Sequence, residues 1–144
     1  MTTKAISESV KQLVSHYAES ITENYRRYHI NTLNGNLHGN YPEYAREQLD
    51  AIENGTANLM KFKVYSGKKY YKIVQQEFET WEKSRNYGKY ADGSVHCFVD
   101  KETGDVYKPA SWKAPAKHIR FSFQNEADVR FLLNPDNVGW AGGY

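Results

Sequence analysis

Ser94-Val-His-Cys-Phe-Val-Asp-Lys-Glu-Thr-Gly-Asp-Val-Tyr-Lys-Pro-Ala-Ser-Trp-Lys-Ala-Pro-Ala-Lys-His-Ile-Arg120 carries the strand, turn and loop signals around which the chain is organised. Val95, Cys97 and Val99 alternate with His96, Phe98 and Asp100 at the two-residue period of a strand. Asp100-Lys-Glu-Thr-Gly104 then has turn chemistry, with Gly104 suited to the positive φ that follows a type I turn, and Asp105-Val-Tyr-Lys108 returns as the second strand of a hairpin. Pro109 and Pro115 lack the donors a ladder needs, so the chain between them is expected to leave the sheet as an ordered loop.

That loop and its flanks are chemically dense. Lys101, Lys108, Lys113, Lys117 and Arg120 face only Glu102 and Asp105, a local charge of +3 in a chain whose net charge is +2. Tyr107 and Trp112 are interleaved with the cations and Ser111 adds a hydroxyl, the inventory for holding an anion while stacking on a flat ring. Two readings of Trp112 stand side by side: a stacking surface for a ligand, or a lid over the core with the lysines as a solvated rim.

Val95 to Lys117, especially Phe98 to Lys108 and Ala110 to Lys117, resembles a block found in small proteins encoded by bacterial viruses and prophages. The closing Gly139-Trp-Ala-Gly-Gly-Tyr144 is similar to the ends of proteins of that group. The resemblance implies a phage protein, and one functional class it is similar to is the anti-Thoeris sponges. Those sequester the cyclic ADP-ribose signal of bacterial immunity and, in some members, cyclic oligonucleotides. The resemblance carries no binding residue of that class onto a position of this chain.

Upstream, Ile6, Val10, Leu13, Val14, Tyr17 and Ile21 form one stripe of a helix from about Thr3 to Tyr25. The stripe suits packing on the protein's own sheet or on a second copy of the chain, so a homo-oligomer is among the expectations. Arg26 and Arg27 follow between Tyr25 and Tyr28, where they either clamp a phosphate or complement the dipole of a last helical turn. Asn31 to Asn40 reads as a loop, with Asn34-Gly35 and Gly39-Asn40 as turns whose amides suit an anion nest. Pro42 opens a second helix that Gly55 ends, with Tyr44, Leu49 and Ile52 inward.

From Leu59 the period changes. Met60, Phe62 and Val64 alternate with lysines, Ser66-Gly67 turns the chain, and Tyr70 to Val74 returns as a second hairpin. Ser66-Gly-Lys-Lys69 lacks the first glycine and the spacing of a Walker motif and reads as a turn with basic flanks. Gln75 to Gly93 is open between a short helix over 76–85 and a long loop, with 87–93 turn-rich. Ile119, Phe121 and Phe123 make a last strand, and Asn125 caps a short helix that Asn134-Pro135 stops.

The expected fold is therefore α+β: an antiparallel sheet of about five strands with a long N-terminal helix, a second helix and a short C-terminal helix. The 144 residues suit a single domain, helical over 1–57 and sheet over 58–144 with a C-terminal tail. The absence of βαβ alternation and of a glycine fingerprint excludes a Rossmann unit. Net charge of +2 and a pI near 8.5 are too mild for duplex nucleic acid. No apolar run approaches a membrane span, mean hydropathy is −0.80, and Met1 to Ser9 lack a secretory core, so a cytoplasmic protein of the host cell is expected.

His16, His29, His38, His96 and His118 show no metal spacing, and lone Cys97 alternates with His96 on a strand, so no metal, cofactor or catalytic set is expected. The expected function is binding without turnover. Trp112 or Tyr107 stacks on a base, Lys108, Lys113, Lys117 and Arg120 neutralise phosphates, and Ser111 fixes a ribose, with Arg26 and Arg27 as a second cluster. The ligand is a small cyclic nucleotide; the alternative is a host protein or a single-stranded nucleic acid.

Overall fold

A computed structural model describes residues 3–142, with side chains from Ser9 onward, so the side chain of Ile6 of the predicted stripe and all of Tyr144 of the tail lie outside what is described. The chain runs α1 (Thr3–Asn36), α2 (Pro42–Asn54), β1 (Lys61–Ser66), β2 (Tyr70–Phe78), β3 (Tyr90–Asp100), β4 (Asp105–Pro109), β5 (Pro115–Ser122) and α3 (Glu126–Leu132). The five strands form one antiparallel meander in chain order, as the α+β reading expects.

Alternation sorts the sheet into two faces. Phe62, Ile73, Cys97, Val99, Val106 and Phe123 are buried on the face covered by Val10, Val14, Tyr17, Ala18 and Ile21 of α1. Removing these apolar groups from water is what fastens the helix to the sheet, each fully buried aliphatic side chain contributing about 1.5–3 kcal/mol. Leu132 of α3 and Val138 beyond it close one end of this core. On the opposite face, register aligns Tyr65, Lys72, Phe98, Tyr107 and Ile119 in a row across all five strands. Among the described residues no helix is long and apolar enough to cross a membrane.

Three expectations are corrected. The first helix does not stop near Tyr25 but continues to Asn36, through the predicted Asn34-Gly35 turn. Leu33 is 2% exposed and Ala45 of α2 is fully buried where the two helices pack, and that burial outweighs the weak helix propensity of Asn and Gly. The chain turns at 37–41, so of the two expected turns Gly39-Asn40 forms and Asn34-Gly35 does not, and Arg26 and Arg27 lie in mid-helix, away from any helix end. In α2 Leu49 and Ile52 are half-buried as expected and Ala45 is the fully buried residue, but Tyr44, expected inward, is 61% exposed.

Gln75 to Gly93 is neither a helix nor one long loop: β2 extends to Phe78 and β3 begins at Tyr90, so the connecting loop is only 79–89. Cross-strand pairing of Gln76 with Asp92 and Phe78 with Tyr90 decides this segment.

The tight turn between β3 and β4 forms as expected. Asp100 accepts from the amides of Glu102 and Thr103 at 2.8 and 3.0 Å, and the Gly104 amide donates to the Asp100 carbonyl at 2.9 Å. Gly104 has φ +75°, and a Cβ there would lie 3.1 Å from Phe123 and 3.3 Å from Val10, both in the core. Gly55, the C-cap of α2, has φ +76° but open space around it. Gly55→Ala should therefore cost only the left-handed backbone penalty, about 1–2 kcal/mol. Gly104→Ala adds a core clash and should cost at least about 2 kcal/mol. Denaturant unfolding of both variants checks the order; equal losses would show that the Gly104 contact relaxes freely.

Candidate functional site

On the open face a groove of about 350 Å³ lies between the β1–β2 turn and the loop joining β4 to β5. That volume lies within the range of small-ligand sites. Lys68 and Lys69 come from the turn, Lys72 from β2, and Trp112 and Lys113 from the loop, over a floor that includes Tyr70 and Phe98. Tyr70 meets Phe98 and Tyr107 edge to face at ring-centroid distances of 5.9 and 6.2 Å, so the floor is rigid aromatic surface.

The loop is shaped by its own backbone. The amides of Ala110 and Ser111 donate to the Ala114 carbonyl at 2.9 and 3.1 Å, and Ser111 Oγ accepts from the amides of Lys113 and Ala114 at 3.3 and 3.2 Å. Lys72 fastens it to the sheet: its Nζ donates to the Trp112 carbonyl at 3.0 Å and lies 4.1 Å from the centroid of the indole ring. Such a cation–π contact is worth about 0.5–1 kcal/mol at an exposed site. Trp112 itself is 43% exposed. It is neither a core lid nor a free ring, but a ring with a lysine over it and its remaining surface in water.

Among the described residues lining the groove, Asp92 is the one carboxylate. It accepts from Gln76 Nε2 at 2.7 Å and from the Tyr65 hydroxyl at 2.8 and 2.9 Å. The Gln76 hydrogen bond, helped by Tyr65 and by nearby Lys63 and Lys72, holds its carboxyl below the usual range, so Asp92 is an ionised acceptor. Tyr65 is pushed up chiefly by the same hydrogen bond to Asp92.

The structure thus brings together Trp112 and Lys113 at the groove and Tyr107 in its aromatic row. Ser111 is nearby, with its hydroxyl engaged in the turn. Lys117 is exposed on β5 and is not among the groove residues. Lys108 and Arg120 instead line a cavity of about 30 Å³ with Tyr17, His96 and Cys97, and Arg120 packs its guanidinium 5.8 Å from the Phe121 ring. The register slips between Val106 and Tyr107, and this irregularity separates Arg120 from the Trp112 groove. Arg26 and Arg27 both reach Glu23, at 3.4 and 3.2 Å, and Arg27 also pairs with Asp136, tying α1 to the segment after α3. Lys68, Lys69 and Lys72 belong to the groove but escaped the sequence reading. Their signal was the Tyr65 to Lys72 cross-strand pair, visible only once the hairpin register is known.

Residues 1–144 match the profile of a family of unknown function, DUF7717. The chain belongs to that family. No curated protein and no solved structure matches it. For this DUF7717 member the chemistry must be read from its own side chains.

The small cavity carries the other titratable cluster. Strict alternation would turn His96 away from the core, but a β-bulge leaves Ile73 opposite Cys97 and Val74 opposite Val95. The His96 ring consequently packs edge-on to Tyr17 at 6.1 Å and Phe62 at 5.7 Å, with Nε2 3.0 Å from the Gly139 carbonyl. Burial pushes its pKa down, opposed by the Gly139 hydrogen bond. Burial pushes the Cys97 thiol from 9.0 up to about 12, although a hydrogen bond from Tyr17 pulls the other way. A protonated, buried thiol is a poor nucleophile. Because the fold favours the protonated thiol, this contribution to stability is full below pH 9.0 and lost as pH rises towards about 12. Native protein should resist thiol reagents at pH 8, and the alkaline loss of stability should be smaller in Cys97→Ala; rapid labelling without unfolding would contradict the burial.

Proposed function

We propose that this DUF7717 chain captures a small cyclic nucleotide on the open face of its sheet and holds it without cleaving it. The observation that carries the reading is the convergence of Lys68, Lys69, Lys72 and Lys113 on one aromatic groove, with Lys72 lodged 4.1 Å from the Trp112 ring. Ammonium groups neutralise phosphate without demanding one orientation, and indole and phenol rings offer a face to a base. The titratable groups of the groove are lysines, tyrosines and an ionised Asp92 already held by Gln76 and Tyr65, a set suited to holding a ligand and not to moving protons through it. Asp92 is an acceptor for a ribose hydroxyl or an exocyclic amine.

The resemblance of the Phe98 to Lys117 region to phage-encoded proteins gives this capture a purpose. A sponge that lowers the free concentration of a cyclic ADP-ribose isomer or a cyclic oligonucleotide blunts an immune signal with no need for turnover. The effect follows mass action and requires protein in excess over the signal.

Isothermal titration against cyclic ADP-ribose isomers and cyclic di- and trinucleotides tests the reading. Trp112→Ala and Lys72→Ala should each weaken binding by roughly tenfold, about 1.4 kcal/mol. Arg120→Ala, which alters a different cavity, should leave it unchanged, and the ligand should be recovered intact after heating the complex. Silence across the panel, or equal damage from Arg120→Ala, would remove the groove as a nucleotide site.

A further inference from the structure

The groove is one end of a longer feature. Lys61 Nζ lies 4.0 Å from the Tyr90 ring centroid, Lys63 Nζ 4.8 Å from Tyr65, Lys72 Nζ 4.1 Å from Trp112 and Lys69 Nζ 5.4 Å from Tyr70. These four lysine–ring pairs lie on the uncovered side of the sheet, because Lys61, Lys63 and Tyr65 alternate with the core residues Phe62 and Val64 along β1. Register continues the pattern: Lys61 pairs with Gln76 and Gln76 with Asp92, while Tyr65 pairs with Lys72 and Lys72 with Phe98. At ~3.3 Å per residue, the track from Lys61 to the Ser66 end of β1 is roughly 17 Å long before Lys68 and Lys69 are added.

A ligand the size of one nucleotide cannot touch both Lys61 and Lys69. A strand with a phosphate every ~3.4 Å when stacked spans the track with roughly five nucleotides. Asp92 lies between the two groups of lysines, but its oxygens accept from Gln76 and Tyr65 and so interrupt the positive track only locally. Cations paired with rings, repeated along a line, match a partner that itself repeats phosphate and base. We infer that the open face of the sheet is a track for a short single-stranded oligonucleotide, with Lys61 and Lys63 holding the end remote from Trp112. This goes beyond the small-ligand reading and does not depend on it.

Fluorescence anisotropy with labelled single-stranded oligonucleotides of two, four, six and eight nucleotides, at several salt concentrations, tests the inference. Affinity should rise with length and level off near five nucleotides. The six-nucleotide probe should show a log–log salt slope of about −2 to −3.5, for three to five phosphates at about −0.7 each. The double variant Lys61→Gln/Lys63→Gln should weaken that probe at least about tenfold and move its slope about 1.4 towards zero, while leaving the two-nucleotide probe unaffected. Affinity independent of length, a double variant that binds like the parent, or a polyglutamate peptide of equal charge binding as tightly as the six-nucleotide probe would overturn the inference. Cyclic nucleotides bound at the Trp112 groove with no oligonucleotide binding would overturn this inference alone, and the reverse result would overturn only the small-ligand proposal.

Discussion

One packing contact governs the rest of the molecule: the Val10, Val14, Tyr17, Ala18 and Ile21 stripe of α1 against the apolar face of the meander. A sheet of five strands has two faces, and the chain provides helical cover for one. The other face must therefore meet water, yet Val74 is fully buried and Phe98 is 4% exposed on it. Lysine stems, tyrosine rings and the Trp112 loop do the covering there, laying methylenes and ring faces over apolar surface while ammonium heads stay wet. The lysine–ring layer is thus a consequence of having one covering helix, and the ligand chemistry proposed for it uses surface the fold already requires.

Most of the architecture was legible in the sequence because it rests on local periodicity. The switch from the helical stripe of Val10 to Ile21 to the alternation of Phe62 and Val64, and again from Val95 to Val99, marks elements without reference to anything distant. What escaped depends on partners far along the chain. Asn31 to Asn36 reads as a turn by composition and is helix because Leu33 is buried where α1 meets α2. Tyr90 to Gly93 reads as a turn and is strand because Phe78 and Gln76 lie across from it. His96 reads as outward and is inward because one extra residue is accommodated in β3.

The candidate site divides the same way. Trp112 and Lys113 were legible because a loop between two prolines must leave the sheet, and a ring flanked by cations in such a loop is conspicuous. Their strongest partner, Lys72, is forty residues away and looks like an ordinary solvent-facing strand lysine until register sets it beneath Trp112. Arg120 failed to join for the converse reason: proximity in sequence is undone by a slip in strand pairing, and the residue faces a different cavity. Reading a basic–aromatic cluster along the chain finds its loop component and misses its strand component.

Charge distribution extends the argument from contact to approach. The net charge of +2 divides into −2 over residues 1–57 and +4 over residues 58–144. The helical part is therefore mildly acidic and the sheet part basic, with Lys61, Lys63, Lys68, Lys69, Lys72 and Lys113 along the uncovered face or its rim. An anion nearing such a molecule is turned towards the sheet before any contact forms, an effect that weakens within about 10 Å at 0.1 M salt. The choice of lysine over arginine matters here. A bidentate guanidinium selects one geometry, whereas a row of ammonium groups over rings tolerates many, trading specificity of orientation for readiness to hold a phosphate wherever it lands. That tolerance is what the proposed capture of a ligand without turnover calls for.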